Sequence, residues 1–142
     1  MSLRPDLAVI ARHVAPGSRV LDVGCGDGEL MAVLQGEKQV DARGMEIDGA
    51  EVEKCVARGL SAIQGDANRD LADYPDGAFD YAILSQTLQT AERPDLMLDE
   101  LLREKGVTVE GCWFFTGGRE IGRAGANWRA EHAVFQLSRR EV

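Results

Sequence analysis

The sequence of 142 residues has few aromatic side chains, few cysteines, no surplus of positive charge and no long apolar run. Its net charge of −8 leaves no basic surface to neutralise the phosphates of a nucleic acid or the head groups of an anionic membrane. No apolar stretch approaches the ~18 residues of a membrane helix, and the N-terminus lacks a signal-peptide pattern. We therefore expect a cytoplasmic protein with no nucleic-acid or membrane partner.

The three cysteines, Cys25, Cys55 and Cys112, are an odd, scattered set without the spacing of a metal-binding motif. We expect them to be reduced and to behave as small apolar side chains, with no bound metal. Hydrophobic residues make up 44% of the chain, which is sufficient for the core of one domain over residues 1–142.

A glycine-rich turn joins a predicted strand, Val20–Val23, to a predicted helix that ends near Gly36. Its glycines, Gly24, Gly26 and Gly28, have the spacing G-x-G-x-G, whereas dinucleotide-binding turns have G-x-G-x-x-G. A turn of this kind between strand and helix predicts a nucleotide-type ligand in an α/β sheet.

Two carboxylates accompany the turn, Asp22 before it and Asp27 within it. They would repel a pyrophosphate, but they would attract a ligand that carries positive charge. S-adenosylmethionine has a sulfonium, an ammonium and only one carboxylate. The turn therefore favours this cofactor over a dinucleotide.

The second predicted strand, Gln39–Ile47, contains Glu46, which follows Gly24 by 22 residues (46 − 24). About 20 residues separate a glycine turn from the acidic residue that holds ribose hydroxyls. We favour this interpretation of Glu46 over a solvated charge at a strand end. Asp48 is predicted to be the N-cap of the next helix, Gly49–Arg58.

The third predicted strand, Leu60–Ala67, ends with a second acidic residue, Asp66. Its carboxylate could accept a hydrogen bond from the amino group of an adenine lying over Ala67, or it could be an ordinary turn aspartate. The sequence leaves both interpretations open. The fourth predicted strand is nearly continuously apolar and leads into Ser85-Gln86 at the edge where ligands bind in open α/β sheets.

The last third of the chain has a different pattern. Pro94 is predicted to start a helix that ends near Lys105, and two strands follow, Val107–Thr116 and one around Ala130–Leu137. The glycine-rich stretch Gly117–Gly125 between them predicts an antiparallel hairpin. Its loop, with several arginines, is better explained as mobile and solvated than as a ligand clamp.

In this order the motifs resemble class I S-adenosylmethionine-dependent methyltransferases and, more narrowly, the MetW family of methionine-biosynthesis proteins. The resemblance implies a Rossmann-like α/β sheet with helices on both faces and an antiparallel C-terminal hairpin. It also implies S-adenosylmethionine or S-adenosylhomocysteine as cofactor. The candidate cofactor-binding residues are Asp22, Gly24, Cys25, Gly26, Gly28, Glu46, Ile47, Asp66, Ala67, Ser85 and Gln86.

One feature departs from that fold. A class I sheet has a fifth parallel strand and a further helix before the final hairpin, but here Leu102 and Val107 are too close in sequence to contain them. We therefore expect the chain to lack one βα unit, either as a shortened form or through a segment missing near residues 102–107.

The resemblance implies a role in methionine synthesis beside a homoserine O-acyltransferase, which the protein assists or regulates while S-adenosylmethionine serves as an end-product signal. The alternative is a small-molecule methyltransferase with an unidentified acceptor. No catalytic residue is assigned, because the fourth strand is not followed by the Asn/Asp-Pro-Pro-aromatic sequence that amino methyltransferases use. His13 and His132 lie within a predicted helix and a predicted strand.

Overall fold

The computed structural model describes residues 5–70, 78–85, 107–116, 119–121 and 132–139. Strands and helices alternate as far as the fourth strand, and only strands are described after it. The elements are α1 (Pro5–Ala11), β1 (Arg19–Val23), α2 (Glu29–Lys38), β2 (Asp41–Glu46), α3 (Gly49–Ala57), β3 (Ser61–Gln64), α4 (Ala67–Asp70), β4 (Tyr81–Ser85), β5 (Val107–Thr116), β6 (Arg119–Ile121) and β7 (His132–Arg139).

The seven strands form one sheet in the order β3-β2-β1-β4-β7-β5-β6. The first four strands are parallel, with β1 between β2 and β4. The chain therefore builds outwards from β1 on one side and then returns to its other side with β4. Ligands bind in the crevice at such a reversal, outside the carboxyl ends of the strands.

Helices α1 and α2 cover one face of this parallel part. Ile10 and Val14 pack with Met31 and Leu34, and strand residues such as Val20 complete the same buried cluster. Helix α1 thus buries its apolar side chains in this cluster. The helix predicted to start at Pro94 lies outside the described residues.

Helix α2 is longer than predicted. It continues through Gly36 to Lys38, and Gln39 ends it in a left-handed conformation with φ 52°. The Lys38 ammonium donates to the carbonyls of Ala11 and Val14 at 2.6 and 2.7 Å. These contacts hold the last turn of α2 against the end of α1, so the predicted end near Gly36 is wrong.

The C-terminal strands extend the sheet beyond β4. Strand β7 is antiparallel to both β4 and β5, and β6 is antiparallel to β5. Because β6 lies inside Gly117–Gly125, that stretch is not the simple loop predicted from its glycines. Among the described strands, the neighbour of β4 away from β1 is β7 rather than a fifth parallel strand. The absence of a βα unit stays a prediction.

Candidate cofactor site

The glycine turn lies at the carboxyl end of β1 and is fixed to the end of β2. Gly24, Gly26 and Gly28 have φ values of 77°, 57° and 86°, which L side chains rarely adopt. The N–H groups of Gly24 and Cys25 both donate to the carbonyl of Met45, at 2.8 and 3.3 Å. The turn therefore needs its glycines for its backbone path, and β2 holds it in place.

Glu46, at the end of β2, is held beside this turn. One carboxylate oxygen accepts from the N–H of Gly26 and the other from the N–H of Asp48, each at 3.0 Å. Two backbone donors stabilise an ionised carboxylate, and each of its oxygens can accept a further hydrogen bond. The arrangement orients Glu46 as a ready acceptor for hydroxyl groups, and its contact with a ribose stays a prediction.

Asp22 is the least satisfied polar group of the site. Its side chain is 1% exposed, and its Oδ1 has no hydrogen-bond partner in the described part of the chain. The strand positions opposite it are Gly44 on β2 and Ile83 on β4, neither of which has a polar side chain. Burial, and secondarily the charge of Glu46, raises the pKa of Asp22 to about 7.

Helix α3 and the residue that follows it, Arg58, also contact the turn. The Cys55 thiol donates to the carbonyl of Gly26 at 3.2 Å, and Arg58 pairs with Asp27 at 3.4 Å. Burial raises the pKa of both Cys25 and Cys55, so these thiols are neutral at physiological pH. They act as packing groups, and the described residues contain no His, Cys, Asp and Glu cluster that could hold a metal ion.

Close packing beneath the turn requires glycine at two positions. A Cβ on Gly44 would lie 2.7 Å from the Cys25 sulfur and 2.7 Å from the Met31 methyl carbon. A Cβ on Gly28 would lie 2.5 Å from a methyl group of Leu60. The turn, β2 and α2 are therefore packed too closely here for a side chain.

The other candidate residues lie further along the same edge. Ile47 follows Glu46 directly and is 65% exposed, so it offers apolar surface next to the carboxylate. Asp66 precedes α4 after the end of β3 and accepts from Arg69 at 3.2 Å, and Ala67 beside it is buried. The Arg69 contact favours the turn interpretation of Asp66, while its role toward an adenine stays a prediction.

Ser85 is the last residue of β4, where its backbone pairs with His132. Gln86 lies outside the described residues. The structure therefore brings together the residues from β1, the glycine turn and the end of β2, and it places Asp66, Ala67 and Ser85 at the same carboxyl edge of the sheet.

Three contributors to the site were not assigned from the sequence, namely Gly44, Cys55 and Arg58. A glycine within a predicted strand does signal a close approach of neighbouring groups, so Gly44 could have been found. Cys55 and Arg58 had no such signal, because their contacts with the turn depend on how α3 packs in three dimensions.

A groove of about 410 Å³ lies along the sheet at β3, and its lining includes Gly44. It is lined by Val56, Leu60 and Ile63 among other residues, and Val56 and Ile63 are exposed. None of the candidate cofactor-binding residues lines it.

The strand order, the glycine turn and the acidic strand end together define a class I methyltransferase-like fold. In the solved structures, a TehB-like SAM-dependent methyltransferase from Corynebacterium glutamicum matches with a TM-score of 0.57 at 16% identity, over 97% of this chain and 89% of that one. A phosphoethanolamine N-methyltransferase 2 of Haemonchus contortus, solved with S-adenosylhomocysteine, matches with a TM-score of 0.57 at 20% identity, over 68% of this chain and 24% of that one. At these identities the likeness concerns the fold.

The profile of the family described as methionine biosynthesis protein MetW matches residues 4–110. The chain belongs to the MetW family. A relative from Rhodopirellula baltica, the bifunctional methionine biosynthesis protein MetXA/MetW, is 34% identical over 111 residues, which are 72% of this chain and 18% of that protein. The chain spans less than half the length of each curated relative that it matches. No helix in the described residues is long and apolar enough to cross a membrane.

Proposed function

We propose that the chain binds S-adenosylmethionine or S-adenosylhomocysteine at the carboxyl ends of β1 and β2. Two neighbouring carboxyl groups carry this proposal. Asp22 is buried and its Oδ1 has no partner in the described residues, while Glu46 is oriented beside the glycine turn by two backbone N–H groups. A cation is the group that would satisfy Asp22, and a diol is the group that would use the free acceptor positions of Glu46. S-adenosylmethionine carries both.

Each part of the site has a distinct task in this proposal. The turn lets the ligand approach the backbone at Gly24 and Gly26 without meeting a Cβ. Glu46 accepts from the ribose hydroxyls, and the exposed Ile47 side chain gives the adenine an apolar surface. The remaining candidates would also contact the ligand. Asp66 and Ala67 would lie beside the adenine, and Ser85 and Gln86 would lie at the edge of the sheet where the ligand binds.

Calorimetric titration with S-adenosylhomocysteine tests this proposal. We expect a single site, no binding of NADH, and a weaker affinity for the Glu46→Ala variant because a charged acceptor of ribose hydroxyls is lost. That loss is about 1.5–3 kcal/mol, or roughly 10- to 150-fold in affinity.

The matched control is Asp41→Ala, at the other end of the same strand. Asp41 is exposed, and its side chain pairs with Arg43 at 3.1 Å. This variant should bind like the wild type. Equal affinities for Glu46→Ala and the wild type would contradict the role of Glu46, and the absence of any binding would contradict the proposal.

The physiological role proposed for this site is to assist or regulate a homoserine O-acyltransferase in methionine synthesis. Membership of the MetW family supports it, as does the Rhodopirellula relative, whose name joins MetXA and MetW in one bifunctional protein. The net charge of −8 would steer the chain toward a basic surface on such a partner.

Co-purification with a homoserine O-acyltransferase, followed by rate measurements with and without this protein, tests the proposed role. We expect a stable complex, a changed acyltransferase rate and a dependence of that change on S-adenosylmethionine, because a ligand that prefers one state of a complex must shift it. Transfer of labelled methyl groups to a metabolite pool, with no effect on the acyltransferase, would instead support a small-molecule methyltransferase.

A further inference from the structure

Asp22 and Glu46 are two carboxyl groups that interact at one site but have opposite hydrogen-bonding environments. Glu46 accepts from two backbone N–H groups, at Gly26 and Asp48. Asp22 Oδ1 accepts from none in the described residues, although its side chain is almost completely buried. Donors stabilise the ionised form of a carboxyl group, and burial without donors favours the neutral form. Burial without a donor to Oδ1 therefore favours the protonated form of Asp22 in the free protein.

No positive charge among the described residues faces Asp22. The ionisable groups near it are Glu46 at the end of β2, Cys25 in the turn and Cys55 on α3, all of which are acidic or neutral. Strand β4 presents Ile83 opposite it, and the residues of α2 in the buried core are apolar. These elements supply no positive charge to Asp22, so a ligand that carries a cation would provide one.

We propose that cofactor binding releases the proton of Asp22, so that the ligand ammonium replaces a proton as the partner of this buried carboxyl group. The inference rests on the proposed binding function and adds a regulation to it. The bond broken is O–H of the carboxyl group, the proton goes to solvent buffer, and no other group changes its charge. Affinity therefore depends on pH near neutrality, where burial places the pKa of free Asp22, at about 7.

Calorimetry with S-adenosylhomocysteine in two buffers of different ionisation enthalpy counts the released protons. We expect close to one proton per ligand at pH 6, far fewer at pH 8, and about tenfold tighter binding at pH 8 than at pH 6. Asp22→Asn has no proton to lose, so its binding should release none and should not vary with pH. Asp80→Asn, a surface variant outside the site, should behave like the wild type.

The carboxyl carbon of Asp22, followed by NMR in the ligand-free protein, gives an independent result. We expect it to titrate near neutral pH without ligand and well below that range when S-adenosylhomocysteine is bound. Titration near pH 4 in the free protein, or ligand binding without proton release, would overturn the inference while leaving the binding function intact. Absence of binding at both pH values would overturn the binding function, and the inference with it.

Discussion

The strand pair β1–β4 has an aspartate near each end, and the two aspartates differ in their hydrogen bonding. At the amino end, the Asp80 carboxylate accepts from the backbone N–H of Arg19 at 2.8 Å and from its guanidinium at 3.1 and 3.3 Å. These bonds lower the pKa of Asp80. At the carboxyl end, Asp22 is buried, its Oδ1 has no partner in the part of the chain that the structure describes, and burial raises its pKa to about 7.

The amino end of the pair has a structural role, whereas the carboxyl end is called the binding end because we propose that the cofactor binds there. The amino end satisfies its charges within the chain, as a folded protein does wherever nothing else is required. The carboxyl end keeps an unsatisfied buried carboxyl group next to a glycine turn, which costs stability. A site that must accept a charged ligand carries such a cost, because partners supplied by the chain would compete with the ligand.

The largest predicted effect concerns Asp22 and the pH dependence of stability. Its pKa is higher in the folded protein than in the unfolded chain, so its contribution is fully present below pH 4 and is lost as pH rises toward 7. That loss amounts to about 4 kcal/mol at most. We expect Asp22→Asn to remove it, so that the free energy of unfolding falls less steeply between pH 4 and 8. Urea denaturation at several pH values measures this slope.

Asp80→Asn is the matched control for that experiment, because folding shifts the pKa of Asp80 in the opposite direction. The pKa of Asp80 is lowered by folding, so its contribution is present above its unfolded pKa and is lost as pH falls through its folded value. The partners are 49% and 42% exposed, so the effect should stay below about 1 kcal/mol. If the free energy of unfolding of both variants depended on pH as it does in the wild type, the opposite pKa shifts of Asp22 and Asp80 would be contradicted.

The sequence predicted the parts of the site that depend on local chain chemistry. The glycine spacing indicated the turn, the distance from Gly24 indicated Glu46, and the N-cap prediction for Asp48 is confirmed by the bond that its side chain accepts from Ala50 at 2.9 Å. These features are encoded within a few residues of each other, or in a spacing common to many α/β sheets.

The features that the sequence did not reveal depend on which strands become neighbours. Asp22 was identified as a carboxylate near the turn, but the lack of a partner for its Oδ1 in the described residues follows from Gly44 and Ile83 lying opposite it on β2 and β4. The pairing of β4 with β7 and the short strand β6 within a glycine-rich stretch were likewise set by long-range pairing. Local propensity is a weak guide to such pairing, because it depends on the cross-strand context.

A smaller predicted effect tests how closely the binding end is packed. Strand β2 carries the buried Ala42 near its start but glycine at position 44, where a Cβ would lie 2.7 Å from both the Cys25 sulfur and the Met31 methyl carbon. Met31 is flexible and can move, whereas the buried Cys25 sulfur is joined through a single Cβ to a backbone that is hydrogen-bonded to β2. Overpacking of this kind costs about 1–3 kcal/mol, so we expect Gly44→Ala to lower the thermal midpoint and to weaken S-adenosylhomocysteine binding by displacing the turn.

Gly36→Ala provides the comparison, because a Cβ there would meet nothing within 4 Å and the residue lies inside α2. Alanine in a helix interior is better than glycine by about 0.5–1 kcal/mol, so this variant should be slightly stabilised and should bind the ligand normally. Thermal unfolding and calorimetry on both variants distinguish a packing requirement at the turn from a general tolerance of alanine. If Gly44→Ala were as stable as Gly36→Ala and bound equally well, the turn would have room to move and the binding end would not be closely packed.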